Sequence, residues 1–281
     1  MTGVFAAEWL KLRKRPAAWV IGLIWLALVF LLGYLLPYAL LRSVPHRRGG
    51  SPGVDRGALV APLLPRNILH ELLPPFANLG GALVLILAVV TMGSEYGWGT
   101  LKTILTQRPG RLTVLIGRLL ALALALALLV ALTFVAGGVG SLLVAVLEHE
   151  RVEWPPLPDI LRGIGALLLI FATWAAIGLG LAVLLRGTSL AIGLGLVYAL
   201  VIENLIRAFS GLGSIVRTVS TTLPGVNANA LANAFASSSG GFRASVESPV
   251  GVGQAILALS TYIVVFVVLV AFILLRRDVA S

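Results

Sequence analysis

The sequence predicts an all-α polytopic membrane protein with six transmembrane helices. Hydrophobic residues make up 59% of the chain and charged residues only 11%, against about 25% charged in soluble domains. Several apolar runs also exceed the roughly 18 residues that mark a membrane-crossing helix. Those runs are continuous Leu, Ala and Val, whereas the strands of a membrane barrel alternate apolar and polar residues. A chain without cysteine has no disulfides, thiol catalysis or thiolate metal sites. The net charge of +10 points, in a membrane chain, to topology and anionic headgroups rather than to nucleic acid.

In chain order, residues 3–15 read as an interfacial helix. Phe5, Trp9 and Leu12 fall on one side, and Glu8, Lys11 and Arg15 on another. The apolar run from Ala17 to Leu41 is longer than a signal peptide's apolar region of about 7 to 15 residues, so it is expected to stay as an anchor. Its span covers about 17–37, and residues 42–74 form a Pro-, Gly- and Arg-rich external loop with a short surface helix near Arg66–Leu73. His70-Glu71 and His149-Glu150 each begin a zinc-protease pattern but lack its second histidine. Span 2 covers about 75–93. Span 3 covers 112–136, and its apolar run continues to Leu147. The cluster Gly137-Gly138-Val139-Gly140-Ser141 is expected to kink or interrupt that run, or to let a neighbouring helix approach closely.

Residues 148–160 form an acidic external loop, followed by span 4 at 161–185, a tight turn at Arg186-Gly187-Thr188, and span 5 at 189–207. The external stretch 208–249 is too polar to cross a bilayer. Within it, Thr222–Phe235 reads as a short helix at the interface or re-entering it. Span 6 covers 250–275.

Between spans 2 and 3 lies the polar loop 94–111. Trp98, Leu101, Ile104 and Leu105 recur there at helical spacing, and Gln107-Arg108-Pro109-Gly110 is a stop signal. The expected element is a short exposed helix about 15 Å long. With the termini inside, 11 of the 21 basic residues are cytoplasmic and 8 of the 11 acidic residues external. Lys11–Arg15 flank the first span and favour that orientation.

No catalytic, cofactor or metal constellation is present. The histidines and aspartates lie outside the spans, and Gly97–Thr103 lacks the glycine that must precede the lysine of a phosphate loop. Glu203 and Arg207 stand at i,i+4, and are expected either to form a structural ion pair or to line a translocation path. Arg118 and Arg162 are expected to snorkel from span ends. Trp19, Trp25 and Trp174 read as packing or interface aromatics.

Three segments carry a resemblance: Glu8–Pro16, Gly93–Lys102 and Thr106–Arg111. Together they resemble the membrane subunit of a type-2 ATP-binding-cassette exporter, and the layout matches over essentially the whole chain. The most specific piece is Glu95 followed by Gly99-Thr100-Leu101. The resemblance implies an N-terminal elbow helix, a cytoplasmic coupling helix and a re-entrant or interfacial element before the last span. It also implies that Glu95, Trp98, Gly99, Thr100, Leu101, Lys102 and Leu105 couple to a separate cytoplasmic ATPase. The implied assembly has two ATPase copies and a second permease subunit, identical or homologous, in the plasma membrane. The first external loop departs from the family by its length and basicity. An ATP-independent transporter or channel and a non-transporting assembly subunit remain as alternatives. Sparse intramembrane charge and the lack of an evident internal repeat weigh against the first.

Overall fold

The computed structural model describes residues 2–43, 56–97, 110–209, 213–235 and 250–276. Among these residues every regular element is helical. Six helices are long and apolar enough to cross a membrane: Pro16–Arg42, Pro65–Gly93, Leu112–Leu147, Leu157–Leu185, Thr188–Ala208 and Val252–Arg276, here spans 1 to 6.

Their contacts fix the directions. Leu85 of span 2 meets Gly178 of span 4, and Gly93 at the end of span 2 meets Thr188 at the start of span 5. Because Leu69 of span 2 likewise meets Gly163, earlier along span 4, spans 2 and 4 run parallel. Span 6 runs the same way, since Thr173 bonds the Leu259 carbonyl and Gly180 adjoins Phe266. Span 3 opposes them, with Gly137 beside Leu72 and Arg118 beside Met92. One end of the bundle thus collects the N-terminal helix, the end of span 2, the start of span 3 and the turn after span 4.

Spans 2 and 4 form the core, while spans 1, 5 and 6 bury few of their residues. Trp25 of span 1 is fully buried. Its ring meets Phe76 and Phe171 edge-on, and its indole N–H donates to the Thr133 hydroxyl at 2.7 Å. Gly80 lets this happen: a Cβ there would lie 2.6 Å from Phe171 and 2.7 Å from Trp25. At Gly178 a Cβ would lie 2.7 Å from the Leu85 carbonyl oxygen, so the two core helices touch backbone to backbone. Trp25 and Trp174 are core residues. Trp19 is exposed, its indole donating to the Arg13 carbonyl.

Several boundaries differ from those expected. The helix carrying span 2 runs Ile68–Gly97 rather than starting at 75, with Pro74 and Pro75 inside it. Ile68, Leu69, Leu72 and Leu73 form a helical apolar stripe and are buried, so this part of the expected external loop belongs to the core. Span 3 is not interrupted: one helix runs Arg111–Leu147. Its glycines serve packing instead, Gly137 receiving Leu72 and Gly140 receiving the Tyr34 ring. Span 4 starts at Leu157 rather than 161, with Pro158 in its first turn.

Two departures from regular α-helix are not legible in the sequence at all. Span 1 contains a π-helical turn at Leu31–Leu35 and span 5 another at Tyr198–Ile202. Each inserts one extra residue into a turn and re-aims the side chains of the next helical turn.

Candidate functional site

Two buried polar clusters stand out, one at each end of the bundle. The first joins the N-terminal helix, Thr2–Lys14, to spans 2 and 3. The chain breaks at Arg15, whose backbone is extended, and Pro16 opens span 1. Leu12 is buried. Glu8 is buried as well, rather than turned to solvent as the amphipathic pattern suggests. Its carboxylate accepts from Lys11 Nζ at 2.6 Å and from Arg118 Nε at 3.2 Å. Burial pushes the Glu8 carboxyl upward, but Arg118 and Lys11 more than offset it and hold it below its ordinary range.

Arg118 does not snorkel. It is 2% exposed, and its Nη1 also points at Met92 Sδ, 2.6 Å away. Arg162 is the exposed one, paired with Asp159 at 2.9 Å. Arg15 reaches across to span 2 and donates to the Val90 carbonyl at 2.6 Å. Gly117 admits the N-terminal helix, since a Cβ there would lie 2.8 Å from Val4. The N-terminal helix therefore holds span 3 at Arg118, and Arg15 just past its end holds span 2 at Val90, on either side of the connection between those spans.

That connection contains the expected coupling residues. Glu95 falls in the last turns of the helix Ile68–Gly97. Trp98, Gly99, Thr100, Leu101, Lys102 and Leu105 lie outside the described residues.

The second cluster lies at the opposite end and replaces the expected ion pair. Glu203 and Arg207 do not pair. Arg207 donates to the side-chain oxygen of Asn204. Glu203, 4% exposed, instead accepts from the backbone N–H of Gly225. Gly225 is the second residue of the buried helix Pro224–Asn233, which comes after the helix Ser214–Thr222. The carboxylate thus sits at the positive end of a helix, where free N–H groups point outward. Asn227 closes the same turn, its amide donating to the carbonyls of Thr221 and Leu223 at 2.9 and 2.8 Å. Tyr262 of span 6 donates its hydroxyl to the Thr222 carbonyl at 3.1 Å. Asn78 of span 2 bonds Asn229 at 3.1 Å.

Reading the sequence missed both clusters because their partners are distant in the chain. Leu223-Pro224-Gly225 held a signal for the second, since proline favours the first position of a helix. Nothing local linked that helix to Glu203. No group of three or more metal-ligating side chains occurs among the described residues.

The fold and these clusters define a multi-pass helical membrane protein with a buried ion pair at one end and a buried carboxylate held by polar groups at the other. The chain belongs to DUF2705, described as a family of proteins of unknown function, whose model matches residues 74–280. The match takes in span 2 from Pro74 onward and spans 3 to 6, with Arg118, Glu203 and Gly225. No curated protein matches the chain.

Proposed function

We propose that the chain is the permease subunit of an ATP-binding-cassette exporter. In this reading it forms the translocation path and couples to a separate cytoplasmic ATPase through the loop 94–111. The observation that carries the proposal is the clamp around that loop. The N-terminal helix is tied to span 3 through Glu8 and Arg118, and Arg15, which joins that helix to span 1, is tied to span 2 through the Val90 carbonyl. A force applied between residues 98 and 109 reaches three helices together, as an elbow and coupling helix require. The motif Glu95 with Gly99-Thr100-Leu101 supports the same reading. Two such subunits, identical or homologous, would sit on two ATPases in the plasma membrane with their termini cytoplasmic. Hydrolysis would then rock the spans between access states.

Leu101→Asp tests it. A carboxylate placed in an apolar docking groove loses its hydration, at a cost of several kcal/mol. The variant should insert normally but lose the ATPase on co-purification, while Glu95→Gln should keep the ATPase and lower coupled hydrolysis. Retention of the ATPase by Leu101→Asp at wild-type stoichiometry would end the proposal.

A second reading, an ATP-independent transporter, draws on the buried Glu203 within span 5, since carboxylates inside spans mark ion and proton pathways. Liposome transport driven by an ion gradient without any ATPase would favour it.

A further inference from the structure

The cluster at Glu203 has no part in ATPase docking, and its construction asks for a role of its own. We propose that Glu203 and Gly225 form a latch that parks the Pro224–Asn233 helix among spans 2, 4 and 6. The π-helical turn Tyr198–Ile202 is the joint that releases it. This inference goes beyond the exporter reading and does not depend on what drives the chain.

Four observations converge. A carboxylate inside a span is costly, and Glu203 meets a helix start rather than a cation. A Cβ at Gly225 would collide with Glu203 Oε2, so the carboxylate would have to shift from the amide to make room for it. The parked helix buries Val226 and Leu231 beside the smaller Asn227, Ala228, Ala230 and Ala232. Apart from Val226 and Leu231 its surface is small and polar, so the ties at Glu203 and Asn229 add to the packing that holds it. The π-helical turn ends immediately before Glu203. Its conversion to ordinary α-helix turns the next residues by about 100° and carries the carboxylate off the Gly225 amide.

The absence of cysteine makes the test direct. Ala228→Cys places a thiol at a fully buried position on the parked helix, and Ala145→Cys places a control thiol at a fully buried position in span 3. Both full-length chains are alkylated with N-ethylmaleimide in native membranes. Glu203→Ala and Gly225→Ala should each speed alkylation of Ala228→Cys by about tenfold, the scale of one lost hydrogen bond to a charged group. Alkylation of Ala145→Cys should not change. Combining the two substitutions should add nothing, since without the carboxylate the new methyl has nothing to displace. The latch is overturned if Ala228→Cys stays slow in either single variant, if the two effects add, or if Ala145→Cys accelerates with it. The last result would mean that the carboxylate supports the whole bundle rather than one helix. Loss of ATPase docking in Leu101→Asp tests different residues at the other end, so the two proposals fail separately.

Discussion

Arg118 shows what it takes to keep a charge inside this bundle. It is closed off from solvent, and Glu8 comes from a separate helix to meet it. Removing one member of such a pair leaves the other charge buried and costs about 3 to 5 kcal/mol. Glu8→Leu should therefore lower the unfolding free energy in detergent by roughly 3 kcal/mol, and Glu8→Leu with Arg118→Leu by less than the sum of the single losses. The pH dependence has a definite sign. The folded carboxyl of Glu8 lies below its ordinary value of 4.5, so its contribution is complete above pH 4.5 and fades as pH falls through the lower folded value. The stability difference between the wild type and Glu8→Gln should be constant from pH 7 to 5 and shrink only below 4.5. A difference that vanished near pH 6 would show that the pair is not the cause.

At the scale of elements, the contact between spans 2 and 4 depends on where glycine sits rather than on how much glycine there is. Gly178 presses on the Leu85 carbonyl, while Gly193 in span 5 has nothing within 4 Å of where a Cβ would be. Gly178→Ala should destabilise by about 1 to 3 kcal/mol, the usual cost of overpacking. Gly193→Ala should be neutral or stabilising, by up to about 1 kcal/mol from helix propensity. Thermal unfolding of the two single variants compares them, and equal effects would deny the close packing. The same contrast explains what is legible in the sequence. Six apolar runs give six spans, because length and hydrophobicity are local properties. The start of span 2 is hidden by Pro74-Pro75, where the loop gives way to the expected span, because both lie inside a helix whose stripe Ile68, Leu69, Leu72 and Leu73 is buried. The glycine cluster of span 3 offers both a kink and a close contact, and only Leu72 and Tyr34, far away in sequence, decide between them. Glu203 stands out in the sequence, yet with Arg207 as its partner. A helix amide 22 residues away competes for the carboxylate, and no spacing rule sees it.

For the whole molecule, orientation decides whether the two ends can do what is proposed for them. The basic residues divide almost evenly between the two sides, and the first connection alone holds Arg42, Arg47, Arg48, Arg56 and Arg66. Among the residues that favour an inside N-terminus, Lys11 and Arg118 are bound to Glu8, which lowers their worth as free topological charges. The decision therefore falls on Arg13 and Lys14, both exposed beside the first span. Single cysteines read the result without a background thiol. Glu150 and Ser189 are exposed at opposite ends of span 4, and Ser51, Thr106 and Ser237 sample three further connections. Cysteines at Ser51, Glu150 and Ser237 should react with an impermeant maleimide in intact cells. Those at Thr106 and Ser189 should react only after permeabilisation. The opposite pattern would put the loop 94–111 outside the cell, where no ATP-driven partner can reach it, and the exporter reading would fall. The contact between Glu203 and Gly225 would survive that reversal, but its latch would then face the cytoplasm.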